Sequence, residues 1–215
     1  MRRAAGVGVA LGVVALLVLA AIGARAGVAP DVLPKLSGSA AWLTSRAAGV
    51  TAFLALSLDV AFGLFVSTGV ADGAIRRARS VEAHRFLSAA ALGATALHVV
   101  ALLTDGFVRF DALDVLVPFL SSYRPVAVGL GVVAAYTMVL VHASFGWRAS
   151  IGAKVWRALH ATSFVAYVGA LLHGVFAGSD AHALTGLYAA SGAVIGALVL
   201  YRIACAARRR APAGR

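Results

Sequence analysis

Four histidines carry the chemistry in this chain. His84 and His98 stand fourteen residues apart and His160 and His173 thirteen apart, each pair near the ends of an apolar run, HRFLSAAALGATALH and HATSFVAYVGALLH. On a helix rising about 1.5 Å per residue, these spacings put the members of a pair about 21 and 20 Å apart. Two parallel helices so marked offer two His/His pairs, one above the other. Neutral imidazole ligates iron well, and an iron whose two axial positions are both filled by the protein favours electron transfer over oxygen binding. The pairs therefore read as axial ligands of two stacked haems. Zinc fits less well, because no Cys, Asp or Glu stands beside these histidines to complete a tetrahedral site.

The elements that must hold them lie in a membrane. Of 215 residues, 61% are hydrophobic and 13% charged, and the mean hydropathy is +0.92. That is an integral membrane composition, not a soluble domain with an apolar core. The formal net charge of +11 could suggest nucleic acid. The basic residues instead form short clusters between apolar spans, as membrane orientation requires, so nucleic acid is excluded as a partner and lipid is expected. The single cysteine, Cys205, rules out an internal disulfide and a cysteine-held cluster.

An all-α bundle of six transmembrane helices follows. The first run, within residues 1–24, is long enough to span, with a signal peptide cleaved near Ala24-Arg25-Ala26 as the alternative. Residues 25–45 read as a polar extracytoplasmic loop containing Pro30, Pro34 and Trp42. The further spans are expected at about 46–70, 80–104, 126–145, 153–177 and 184–205. Ser80, followed by Glu82, reads as the N-cap of the third helix. The VLVPFL segment after Asp105, Asp111 and Asp114 is too short to span and suits the interface. Residues 206–215 form a basic tail.

With both termini in the cytoplasm, the inner side receives Arg2, Arg3, Arg76, Arg77, Arg79, Arg85, Arg148, Lys154, Arg157, Arg202, Arg208, Arg209, Arg210 and Arg215. The outer side receives only Arg25, Lys35, Arg46, Arg109 and Arg124, in keeping with the positive-inside rule. Helices three and five then run the same way. His84 meets the level of His160 near the inner face, and His98 that of His173 near the outer face. One difficulty stands out: at 100° per residue, fourteen residues return a helix to within about 40° of its starting face, whereas thirteen leave it about 140° away. Helix five must twist locally, or its two histidines must serve different flanks.

Other residues invite roles beside their ordinary ones. Arg85 and Arg157 flank the inner pair, and Arg109 and Arg124 the outer level, where a guanidinium fork matches a haem propionate; membrane-flank orientation explains the same four. Asp59 lies near the middle of its span, where a carboxylate requires a partner or a proton-handling role. His142 falls at the depth of the inner pair, able to line a haem, relay a proton or serve as a substitute ligand, or simply to pack. His182 reads as a solvated loop residue. Phe164 and Tyr167 lie between the ligands of helix five, as bridges between haems or as packing. Gly192 and Gly196 form a small-xxx-small pair suited to close helix contact. The string GLGVVA lies inside a span with no preceding strand and is no dinucleotide motif.

Histidines separated by thirteen residues on the third helix and twelve on the fifth resemble the ferric reductase transmembrane family, over roughly residues 46–205. That family includes the membrane halves of NADPH oxidases and ferric-chelate reductases, and the bacterial haem subunit of a methionine sulfoxide reductase. The resemblance implies two b-type haems in a six-helix bundle of the inner (plasma) membrane, with His84, His98, His160 and His173 as ligands and electrons moving outward. Many members continue into flavin and nicotinamide domains. Here a separate flavoprotein or membrane quinol is the expected donor, with an extracytoplasmic reductase or ferric species as acceptor. Two readings from other classes compete: a small proton- or metal-coupled transporter centred on Asp59 and His142, and a non-catalytic anchor that recruits a partner through its basic tail.

Overall fold

The computed structural model describes residues 38–105 and 110–210. The expected first helix, the start of the loop after it and Arg109 lie outside these residues. Among the described residues there is no strand. The helices are α1 (Gly38–Thr68), α2 (Arg77–Thr104), the short α3 (Ala112–Leu116), α4 (Pro125–Ala161), α5 (Ser163–Ala177) and α6 (Thr185–Arg210).

Among the described residues, four stretches are long and apolar enough to cross a membrane: Ala40–Thr68, Arg77–Thr104, Pro125–Ala177 and Thr185–Arg208. The third has 53 residues, which would extend about 80 Å as one rod against a hydrocarbon core of about 30 Å. It does not stay straight. Gly152 takes φ 77° and ψ 159°, far from helical values, and that corner is essentially glycine-only backbone. Beyond it the chain returns along itself. The Phe145 ring meets the Trp156 ring edge-on at 5.1 Å, and a Cβ at Gly169 would stand 3.2 Å from the Ala134 Cβ. Farther along, the His173 Nδ1–H reaches the Ala127 carbonyl at 2.9 Å. The two arms are thus antiparallel, with the turn where sequence reasoning placed the break between its fourth and fifth spans.

Local chemistry sets the ends. Gly69, at φ 72°, stops α1 and returns its N–H to the Phe65 carbonyl at 2.8 Å, the left-handed helix stop that glycine allows. Asp111 and Asp114 form a reciprocal capping box that opens α3. Arg124 in the left-handed region and Pro125 at the first turn open α4. Tyr136 Oη donates to the Leu116 carbonyl at 2.5 Å and ties α3 to α4.

Two starts differ from expectation. α1 begins at Gly38, so Ser39 and Trp42 are helical rather than part of a polar loop. α2 begins at Arg77, one turn before Ser80. Ser80 is 1% exposed and its Oγ has no hydrogen-bond partner, so it packs inside the helix instead of capping it.

α1 is the centre of the bundle, packed along α2 and touching α5 and α6. The core collects Phe53, Leu56, Val60 and Leu64 of α1 with Ala91, Tyr167, Tyr188 and Ile195. A polar relay crosses it: Tyr167 Oη donates to Ser191 Oγ at 2.7 Å, Ser191 to Ser57 Oγ at 3.0 Å, and Ser57 to the Phe53 carbonyl at 2.8 Å. Such bonds join helices where lipid offers no hydrophobic drive between them. Outside the core, Phe86, Val126 and Leu200 are 72%, 66% and 69% exposed, a distribution suited to a surface facing lipid rather than water. The chain is a helical membrane protein.

Candidate functional site

α2 and the α4–α5 arm bring the four histidines together as two pairs. The His84 and His160 ring centroids lie 6.0 Å apart at an interplanar angle of 87°, and those of His98 and His173 6.2 Å apart at 77°. With metal–imidazole bonds of about 2.0 to 2.1 Å and a ring nitrogen about 1.1 Å from its centroid, two imidazoles on opposite sides of one ion have centroids about 6.2 to 6.4 Å apart. Edge-to-face packing of aromatic rings gives similar separations, so the ring edges must discriminate.

Three of the four Nδ1 atoms face backbone carbonyls. His84 Nδ1 is 3.0 Å from the Asp59 oxygen, His98 Nδ1 2.8 Å from that of Ser45, and His173 Nδ1 2.9 Å from that of Ala127. A carbonyl only accepts, so in each ring the proton sits on Nδ1. In the neutral ring Nε2 then keeps its lone pair, the arrangement found when a histidine ligates metal through Nε2.

One local device builds all three contacts. The accepting carbonyl belongs in each case to the residue four before a glycine: Asp59 before Gly63, Ser45 before Gly49, Ala127 before Gly131. The ring lies over that glycine. A Cβ would stand 3.2 Å from His84 Cε1 at Gly63, 3.0 Å from His98 Nδ1 at Gly49, and 2.6 Å from His173 Nδ1 at Gly131. In a helix the carbonyl of residue i−4 already takes the N–H of residue i. Here a second donor, from a neighbouring helix, reaches it over the bare Cα of the glycine. Gly49 and Gly63 are fourteen apart on α1, the same spacing as His98 and His84 on the antiparallel α2.

The fourth histidine is held differently. His160 stacks on Trp156 at 4.9 Å and 18° and meets Phe145 edge-on at 6.0 Å. Its Nδ1 is buried with no hydrogen-bond partner, as is Trp156 Nε1. Thr162 interrupts the arm two residues later, with i→i−3 bonds from Thr162 N–H to Leu159 and from Val165 N–H to Thr162. Each such residue turns about 20° more than an α-helical one. This overwinding reduces the 140° offset of a thirteen-residue spacing, and both rings come to face α2.

At the level of His84 and His160, the Asp59 carboxylate lies 2.7 Å from His84 Nδ1 but off the line of the N–H, which goes to the backbone. Asp59 Oδ1 is buried without a hydrogen bond of its own, so the carboxylate lies beside the ring and not on a donor. His142 Nδ1 is 2.9 Å from Ser88 Oγ, one turn from His84, which places it at the inner level. Arg85 and Arg157 are exposed, and the structure pairs neither with an acidic side chain among the described residues.

The His98/His173 pair opens into a cavity of about 210 Å³ lined by Ser45, Gly49, Phe53, Gly131 and Met138 along with the two histidines. That is far more than the 10–15 Å³ needed by one trapped water. At its rim Arg46 meets Asp180 through two contacts, one of them Nε to Oδ2 at 2.6 Å, with Trp42 5.7 Å from the guanidinium. In the sequence Arg46 is marked only by its position, directly after Ser45, whose carbonyl holds His98. Arg124 is used elsewhere, donating to the Phe176 carbonyl at 2.6 Å.

Tyr167 is committed to the serine relay and stacks on Phe53 at 6.2 Å, so it packs the core rather than standing open between the levels. Gly192 and Gly196 have nothing within 4 Å of an added Cβ and make no close helix contact among the described residues. His182 is exposed in the turn before α6. No group of three or more His, Cys, Asp or Glu among the described residues could hold a bare metal ion. Two opposed imidazoles per level fit a metal whose remaining ligands come from a macrocycle. Comparison with models of protein families, with curated proteins and with solved structures finds no match for this chain.

Proposed function

We propose that this chain is a dihaem cytochrome b of the ferric-reductase-like kind, a six-helix bundle of the inner membrane with both termini in the cytoplasm. It carries electrons from a cytoplasmic flavoprotein or membrane quinol to an extracytoplasmic acceptor. The reading counts the first apolar run, the two arms on either side of Gly152 and the three other long helices as six crossings. The observation that carries it is the thrice-repeated contact of an imidazole with a helix carbonyl across a glycine, which leaves lone-pair nitrogens on rings already paired at 6.0 and 6.2 Å.

His84 and His160 would hold the inner haem b and His98 and His173 the outer one, with Arg85 and Arg157 on the inner propionates. When bound, haem supplies one-electron redox chemistry at each level. The protein's work is to fix tautomers, exclude water and set charge. The carbonyls of Asp59, Ser45 and Ala127 hold the proton on Nδ1 and raise ligand basicity. The Asp59 carboxylate beside His84 adds negative charge at the inner level alone, which lowers the potential there and makes outward transfer downhill.

The test is the reduced-minus-oxidised spectrum of the purified protein, with haem quantified per chain. About two b-type haems, with His84→Ala and His98→Ala each removing or altering one, is the expected result. A colourless protein after expression with ample haem sinks the reading. The buried Asp59 and the half-buried His142 would then favour the transporter.

A further inference from the structure

The four histidines are not equally held, and the exception points to a binding function. His84, His98 and His173 each spend Nδ1–H on a backbone carbonyl and lie over a glycine. His160 has neither support. For Nε2 to ligate, its proton must sit on Nδ1, and that atom is buried without an acceptor. The stack on Trp156 and the edge contact with Phe145 restrain the plane of the ring but accept no hydrogen bond from it. Ligation by His160 therefore orphans a buried N–H that leaving the metal relieves, because the ring can then carry its proton on either nitrogen. The Thr162 break two residues on separates the His160 turn, at the end of α4, from α5.

We propose that the His160 position is exchangeable, so that the inner level takes a small neutral ligand such as a diatomic gas or a free imidazole while the outer level stays closed. The proposal rests on the dihaem reading. Its chemistry is substitution only: the bond to His160 Nε2 breaks, one to the incoming lone pair forms, and no electron or proton is lost. Asp59 keeps His84 in place on the opposite side throughout, through its carbonyl.

The experiment is carbon monoxide titration of the dithionite-reduced, haem-loaded full chain, read as a CO difference spectrum beside haem per chain. Half of the haem should bind CO in the wild type. In His160→Ala, if both haems are retained, uptake should stay at one per chain, because the same site is already open. If that variant loses its inner haem, uptake should fall to none. Two haems without CO uptake in the wild type would overturn this proposal alone, and so would uptake by both haems. A rise from one to two per chain in His160→Ala, or uptake persisting after loss of the inner haem, would place the open position at the outer level and overturn it as well. A chain without haem would overturn both this proposal and the reading beneath it.

Discussion

Substituting the three glycines under the histidine rings gives a graded prediction. At Gly131 an added Cβ would sit 2.6, 2.8 and 2.9 Å from Nδ1, Cγ and Cε1 of His173. Optimal contacts between such atoms are about 3.5 to 4.0 Å, so the ring must withdraw by about 1 Å. All three close atoms belong to the ring, which leaves no flexible side-chain end to swing aside. Withdrawal stretches the 2.9 Å bond to the Ala127 carbonyl. A buried donor left unpaired costs about 1–3 kcal/mol and an overpacked core about 1–3 kcal/mol. Taking about 3 kcal/mol together, Gly131→Ala should weaken the outer site by about two orders of magnitude. Gly49→Ala, with its nearest contact at 3.0 Å, should cost less. Gly63→Ala, at 3.2 Å from the His84 edge, should cost least and act at the inner level. Gly93→Ala is the control, since nothing lies within 4 Å of its added Cβ.

The assay is haem per chain and the reduced-minus-oxidised spectrum after expression under limiting haem, with thermal unfolding in detergent alongside. Occupancy should fall in the order Gly93→Ala, Gly63→Ala, Gly49→Ala, Gly131→Ala. A Gly131→Ala protein with both haems and an unaltered spectrum would refute the reasoning. A Gly63→Ala protein more damaged than Gly131→Ala would do the same.

Asp59→Asn keeps the shape of the side chain while removing the charge 2.7 Å from His84 Nδ1. It should raise the inner midpoint potential by roughly 40–90 mV, equivalent to about 1–2 kcal/mol for one electron, and leave the outer one in place. Potentiometric titration checks it, and a fall, or an equal shift at both levels, would count against the charge argument. Gly152→Ala should cost about 1–3 kcal/mol of stability through backbone strain alone, because φ is 77° there and nothing lies within 4 Å of an added Cβ. Its unfolding temperature should drop with the spectrum unchanged below the transition, and an undiminished unfolding temperature would mean that the turn tolerates a side chain.

What could be read from the chain alone is set by which forces are local. The apolar runs, their lengths and the flanking arginines are properties of contiguous residues, so the helices of the later spans and the pairing of His84 with His160 and of His98 with His173 could be laid out in advance. The start of α1 could not, because Gly38 and Ser39 read as loop residues in isolation, yet in the structure they continue the helix that carries the span. Ser80 misleads for the reverse reason: its hydroxyl is a good cap in isolation, but Arg77 to Arg79 already continue the helix toward the loop. The offset left by the thirteen-residue spacing did announce a local twist, although Thr162 itself is an ordinary residue for such a helix.

The glycine device occupies the middle ground. Each glycine alone is unremarked in a membrane helix, where small residues are common, and the carbonyl that holds each imidazole has no side-chain identity to read. Its signal is relational. Gly49 and Gly63 repeat the fourteen-residue interval of His84 and His98 on a neighbouring antiparallel span, and only that register carries each ring onto a bare Cα and brings its N–H to the carbonyl one turn before. Gly131 repeats the device across the hairpin that Gly152 closes. The missing fourth copy, at His160, separates one level from the other in the same terms: three rings meet a glycine and a carbonyl, and the fourth meets aromatic rings and leaves its Nδ1 without a partner.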